Sequence, residues 1–167
     1  MEWLNDTNGL GLFFAMAGAA LAYFMPATAS GVGGRMVSEA ADGVYAEDPK
    51  KFGVNLVMHA ITMTQGIYGL IIAFLILNKI GIITGNPSSL TTATGLYFFA
   101  ASLPVGIAAW TTGVSQGRAA AAGVVLLAKR PEELAKATTH AVMIETYQIL
   151  GLLLSFLMWL GIQVPSV

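Results

Sequence analysis

The chain has 167 residues, of which 56% are hydrophobic and only 10% charged, with a net charge of −1. Soluble domains carry about 25% charged residues, so this one has too few to wet its own surface and belongs in a bilayer. The near-neutral balance supplies no basic footprint for nucleic acid, and the absence of cysteine removes disulfide and thiol chemistry.

The first residues, Met1-Glu2-Trp3-Leu4-Asn5-Asp6, lack the positive start of a secretory signal, so the first apolar run is expected to remain as a span. A spanning helix needs about 20 mostly apolar residues. Four segments qualify in chain order: Gly9–Gly34, Phe52–Leu77, Thr92–Gly117 and Ala137–Ile162. The first and third are expected to run past the membrane surface, through Val37–Ala46 and Ala119–Lys129, which still read as helix formers. Asp48-Pro49 and Arg130-Pro131 then mark tight turns, because a residue before proline leaves the helical region and proline is tolerated at a helix start. The connection between the second and third spans, Lys79–Thr91, is rich in Gly, Ser and Thr around Asn86-Pro87. The expected fold is all-α: a polytopic membrane protein of four transmembrane helices.

Arg35, Lys50, Lys51, Arg118, Lys129, Arg130 and Lys136 flank the first and third connections, whereas only Lys79 flanks the second. The positive-inside rule therefore puts both Pro-marked loops in the cytoplasm and both termini outside.

The two halves resemble each other. Phe13-Phe14-Ala15 echoes Phe98-Phe99-Ala100, Gly34-Arg35 echoes Gly117-Arg118, and His59, Thr64 and Gly69 fall nearly in register with His140, Thr146 and Gly151. A duplicated helical hairpin accounts for this, with residues 1–85 as the first hairpin and 86–167 as the second. The first and third helices share stripes of small residues, Gly11, Ala15, Gly18, Ala22, Ala29, Gly33 and Gly95, Ser102, Gly106, Ala109, Gly113, Gly117. Small faces let backbones approach closely in lipid, as in a tight bundle or the crowded inner wall of a ring. The second and fourth helices carry bulkier residues that suit contact with lipid.

Glu145 sits near the middle of the fourth span, while every other Asp, Glu, Lys or Arg lies at an edge, loop or terminus. An acidic residue at a helix centre costs about +2.5 to +3.5 kcal/mol on insertion scales, and such residues mark ion or proton paths. In the second span Ile61, Thr64, Gln65 and Tyr68 share one helical face, and the third span brings Gln116 to a similar depth. A proton needs only the carboxyl; a hard cation stripped of water needs several oxygen ligands. The added Thr and Gln residues point toward sodium, with the proton as the alternative. His59 and His140 lie near span ends and receive no metal role. Gly31-Val32-Gly33-Gly34 is not a phosphate cradle, since it lacks the strand before it and the Lys-Ser/Thr of a P-loop. No catalytic constellation stands out, and no enzyme activity is expected. A proton-coupled secondary transporter or a purely structural bundle leaves the small stripes or the polar face without a task.

Thr64-Gln65-Gly66-Ile67-Tyr68-Gly69, Gln116-Gly117-Arg118-Ala119-Ala120-Ala121-Ala122-Gly123 and Glu145-Thr146-Tyr147-Gln148-Ile149-Leu150-Gly151 resemble the membrane rotor subunit of V-type ATPases, the K subunit or proteolipid of bacterial sodium pumps. The resemblance covers essentially the whole chain. It implies a homo-oligomeric ring surrounded by lipid in the cell membrane, with helices one and three inside. It also implies a stator membrane subunit with half-channels, and a central stalk docked on the cytoplasmic loops, with ATP hydrolysed on other subunits. The implied Na+ ligands are Glu145, the Thr64, Gln65 and Gln116 side chains, and the Ile61 carbonyl, with Tyr68 locking the carboxylate. Sodium-type relatives often carry Pro-Gly just before the Thr-Gln pair, where this chain has Thr62-Met63. Met63 also stands where the repeat would put a second carboxylate, so one ion is implied per four helices.

Overall fold

The computed structural model describes residues 9–164. The termini, expected on the outer side of the membrane, fall beyond the described residues. The helices are α1 (Leu10–Glu47), α2 (Phe52–Ile61), α3 (Thr64–Lys79), α4 (Thr92–Lys129) and α5 (Leu134–Gly161). Four helical segments are long and apolar enough to cross a membrane: Leu10–Glu47, Pro49–Lys79, Thr92–Lys129 and Pro131–Gly161. At about 1.5 Å per residue, the 38 residues of α1 and of α4 outrun a hydrocarbon core about 30 Å thick. Both helices therefore project beyond it, as their extended helix-forming tails imply.

The two Pro-marked turns are built alike. Asp48 leaves the helix at φ −144°, ψ 95°, and Arg130 does so at φ −139°, ψ 79°. Each is followed by a one-turn 3-10 segment that opens on proline, Pro49–Lys51 and Pro131–Glu133. Proline disfavours the α region for the residue before it; α1 and α4 tolerate Pro26 and Pro104 inside them, but at Asp48 and Arg130 the chain turns and the partner helix starts. At the opposite end, Gly81 takes φ +80°, and a Cβ there would overlap the Asn86 carbonyl oxygen. Thr91 then caps α4 by accepting the Thr94 N–H at 3.2 Å.

The small stripes of α1 and α4 face each other. A Cβ on Gly95 would overlap the Gly11 carbonyl, and one on Gly117 would overlap Gly33 Cα. The two helices run parallel at backbone contact along their shared length, the arrangement that small residues permit in lipid. α3 packs on α1 and α5 on α4, and each outer helix seats a glycine against a proline-containing turn of its partner. Gly69 abuts Ala22 and Pro26; Gly151 abuts Pro104 and Ala108. Phe24, Tyr97 and Ile107 remain exposed on α1 and α4, as do Leu70, Phe74, Leu150 and Leu153 on α3 and α5. An apolar skin of this extent is what a lipid-facing protein presents.

The second span departs from a single continuous helix. It breaks at Thr62-Met63. Thr62 Oγ1 donates to the His59 carbonyl at 2.8 Å and Thr64 Oγ1 to the Ile61 carbonyl at 3.0 Å. The Thr62 and Met63 N–H groups meanwhile shift to carbonyls three residues back, at 3.1 and 3.2 Å. Hydroxyls competing for helix carbonyls loosen the ladder, and the tighter 3-10 bonding completes the break.

Candidate functional site

Glu145 is the one buried charged residue among the described residues, 7% exposed on the inward face of α5. Two donors reach its carboxylate. Tyr68, one turn into α3, donates its hydroxyl to Oε1 at 2.6 Å, and Gln116 on α4 donates Nε2 to Oε2 at 3.2 Å. The same amide nitrogen lies 3.3 Å from the Ala141 carbonyl, one turn before Glu145.

The network continues away from the acid. Gln65 Nε2 donates to Gln116 Oε1, and Ser30 Oγ on α1 donates to Gln65 Oε1 at 3.2 Å. Ser30 Oγ also accepts the Gly66 N–H at 3.0 Å. Gln65 and Gln116 are fully buried, so each amide has little access to water and depends on these partners. Four helices thus contribute to one chain of hydrogen bonds, Ser30 to Gln65 to Gln116 to Glu145.

Ile61 and Thr64 stand beside this chain at the helix break, joined to each other by the bond from the Thr64 hydroxyl to the Ile61 carbonyl. The break leaves both oxygens at a helix end, Ile61 closing α2 and Thr64 opening α3. Of the six residues singled out from sequence, Gln65, Tyr68, Gln116 and Glu145 are linked directly. Thr64 and Ile61 form a second pair that flanks them.

Ser30 is a member that sequence reasoning missed. Its signal was slight: a single hydroxyl beside the Ala29–Gly33 stripe. Gln148 was passed over as well; it is fully buried one turn past Glu145, with Nε2 3.3 Å from the Val105 carbonyl. The histidines hold no metal cluster: no group of three or more His, Cys, Asp or Glu gathers among the described residues. His59 Nδ1 lies 3.4 Å from Ser38 Oγ, and His140 is exposed.

A carboxyl group bonded at both oxygens is fixed in direction, and the amides around it can rotate. If the Gln116 amide turned over, it would present oxygen rather than nitrogen to the carboxylate. The same turn at Gln65 would let two amide oxygens and the carboxylate face one point, a donor set suited to a hard cation.

Comparison with known proteins gives matches across both halves. A family model described as the ATP synthase C subunit fits residues 17–76 and again residues 99–158. The K subunit of the V-type sodium ATPase of Enterococcus hirae is 40% identical over 161 residues, 96% of this chain and 99% of that one. The K subunit of the A-type ATP synthase of Methanocaldococcus jannaschii is 35% identical over 151 residues, 90% of this chain and 64% of that one.

Proposed function

The chain belongs to the family of the ATP synthase C subunit, and from that premise we propose that it is the ion-carrying rotor-ring subunit of a V-type rotary ATPase, moving Na+ across the membrane by reversible binding at Glu145. Its part is non-catalytic, with ATP hydrolysed on other subunits. The observation that carries the proposal is the convergence of Tyr68 and Gln116 on Glu145, with Gln65 behind them.

The Tyr68 hydroxyl and the Gln116 amide hold the carboxylate in place. Na+ binding turns the two amides so that their oxygens, the carboxylate and the pair at the helix break, Thr64 and the Ile61 carbonyl, surround the ion. Tyr68 keeps its bond to Oε1 and holds the loaded carboxylate in place. Neutralised in this way, the site can face lipid while the ring turns. Identical subunits form that ring, with α1 and α4 inward, and residues 1–85 and 86–167 act as its two hairpin units. A stator membrane subunit gives the ion access through half-channels. A central stalk docks on the Pro49 and Pro131 turns, which lie in the cytoplasm with both termini opposite. One carboxylate per four helices spreads each ATP over few charges, each opposed by ~2.3 kcal/mol per 100 mV, a gearing that favours pumping.

The test is ATP-driven uptake of radiolabelled sodium into vesicles carrying the complex with Glu145→Gln. Uptake is expected to vanish while the ring still assembles; undiminished uptake would remove Glu145 from the path. Carbodiimide modification of Glu145 separates the ions. Protection by sodium supports the Na+ reading, and modification indifferent to sodium assigns the same rotor to protons.

A further inference from the structure

Two glutamines tie α4 and α5 together crosswise on either side of Glu145. Gln116 of α4 donates Nε2 to the Ala141 carbonyl of α5, one turn before the acid, at 3.3 Å. Gln148 of α5, one turn after it, donates Nε2 to the Val105 carbonyl of α4, also at 3.3 Å. Ala141, Glu145 and Gln148 are buried together, at i, i+4 and i+7 on a single helical face. The carboxylate therefore stands between two backbone anchors, which fix the rotation and the height of its turn against α4.

The Gln148 anchor differs from the other buried amides. Gln65, Gln116 and Gln148 are all fully buried. Gln65 Oε1 accepts from Ser30 and Gln116 Oε1 accepts from Gln65, whereas Gln148 Oε1 has no partner. Buried acceptors are normally satisfied, and an unmatched one costs at least as much as a single neutral hydrogen bond contributes. An apolar side chain of the same length would carry no such cost. The α4–α5 contact does not depend on this amide to satisfy Val105 either, because Ser155 accepts the Val105 N–H at 2.9 Å. Stability alone thus gives no reason for a glutamine at this place.

Ion binding supplies the reason. When the Gln116 amide turns its oxygen toward a cation, its nitrogen leaves the Ala141 carbonyl, and the anchor before Glu145 is lost. Gln148 shares no hydrogen bond with Gln65, Gln116 or Glu145, so its own anchor survives that rearrangement. We propose that Gln148 is a positioning residue of the ion site: held on the Val105 carbonyl, it keeps the Glu145 turn facing α4 once the cation has drawn the Gln116 amide away. The proposal rests on the reading of Glu145 as the Na+ site. It assigns the two glutamines different tasks, Gln116 as a ligand that moves and Gln148 as a brace that does not.

Gln148→Met tests this in the assembled ring, since it keeps the side chain's length and removes both amide groups. The sodium concentration that half-protects Glu145 from carbodiimide is expected to rise about fivefold, the effect of one neutral hydrogen bond. The melting temperature without sodium should hold or rise, because the unmatched acceptor is gone. A ligand that binds more weakly stabilises less at a given concentration, so the rise in melting temperature on adding a fixed amount of sodium should shrink. Gln148→Asn keeps an amide but, one methylene shorter, draws it out of reach of Val105, and the same rise in midpoint is expected. A midpoint within about twofold of the original in both variants would overturn the proposal. So would failure of both rings to assemble, or a lower melting temperature without sodium accompanied by an intact sodium increment, which would make Gln148 a packing element. An unsubstituted ring in which sodium neither protects Glu145 nor raises the melting temperature would instead overturn the reading of the ion site, a result obtained before any variant is made.

Discussion

Tyr68 and Glu145 stand on different hairpins, yet the tyrosine hydroxyl donates to the carboxylate at 2.6 Å. That bond ties α3 to α5 at the depth where a charge is least tolerated. Hydrogen bonds to charged groups contribute about 1.5–3 kcal/mol, enough to decide whether the carboxylate points inward or swings toward lipid.

Tyr68→Phe removes this donor and leaves the ring in place. The sodium concentration that half-protects Glu145 from carbodiimide is expected to rise about tenfold, the lower end of what a charge-assisted bond contributes. A midpoint within about twofold of the original would mean the bond does not hold the carboxylate.

Gln116→Leu removes three bonds at once, the one to the Ala141 carbonyl included, and leaves both the Gln65 amide nitrogen and Glu145 Oε2 short of a partner. Each unsatisfied buried group costs about 1–3 kcal/mol. Sodium protection of Glu145 should be lost, and the purified ring should unfold at lower temperature. Gln116→Glu separates the two effects, since it keeps oxygen ligands but places a second carboxylate beside the first. Two such groups repel each other without a cation and attract one strongly. Added sodium should therefore raise the melting temperature of this ring more than that of the unsubstituted one.

Ser155 lies two turns beyond Gln148 on α5 and accepts the Val105 N–H at 2.9 Å, directly after Pro104. Proline interrupts the α4 ladder there, and the serine gives the next N–H a partner. Ser155→Ala is expected to lower ring stability by about 1–2 kcal/mol per subunit without changing the sodium midpoint. A shifted midpoint with unchanged melting would show that the contact serves the site instead.

Gly95→Ala would drive a methyl into the Gly11 carbonyl. Overpacking of this kind costs about 1–3 kcal/mol or more, and the parallel pair of α1 and α4 should separate, seen as loss of ring in detergent gels. Gly43→Ala is the matched control: nothing lies within 4 Å of its Cβ, and helix propensity alone predicts a gain of about 1 kcal/mol or less. Equal behaviour of the two variants would contradict the close α1–α4 approach.

Much of this molecule is readable before any coordinates. The four spans, the projection of α1 and α4 past the membrane, and the two Pro-marked turns follow from hydropathy, helix propensity and the steric rule at proline. Each of these acts on a residue and its immediate neighbours. Glu145 announces itself because a charge in oil is costly wherever the helix packs. The break at Thr62-Met63 is not legible in the same way, because it depends on which carbonyl each threonine hydroxyl chooses. Thr28, Thr111 and Thr138 make similar bonds to their own helices without breaking them.

Composition and periodicity by themselves determined a four-span membrane protein with one carboxylate out of place and polar residues at comparable depth. They could not decide that the two small stripes meet each other, that Ser30 closes the relay from α1, or that Gln116 rather than Gln65 touches the acid. Those outcomes depend on how far each helix is rotated and slid against its neighbour. A rotation of one residue, about 100°, would turn Gln116 away from Glu145 while leaving its sequence pattern untouched, and only the packed helices choose among such registers.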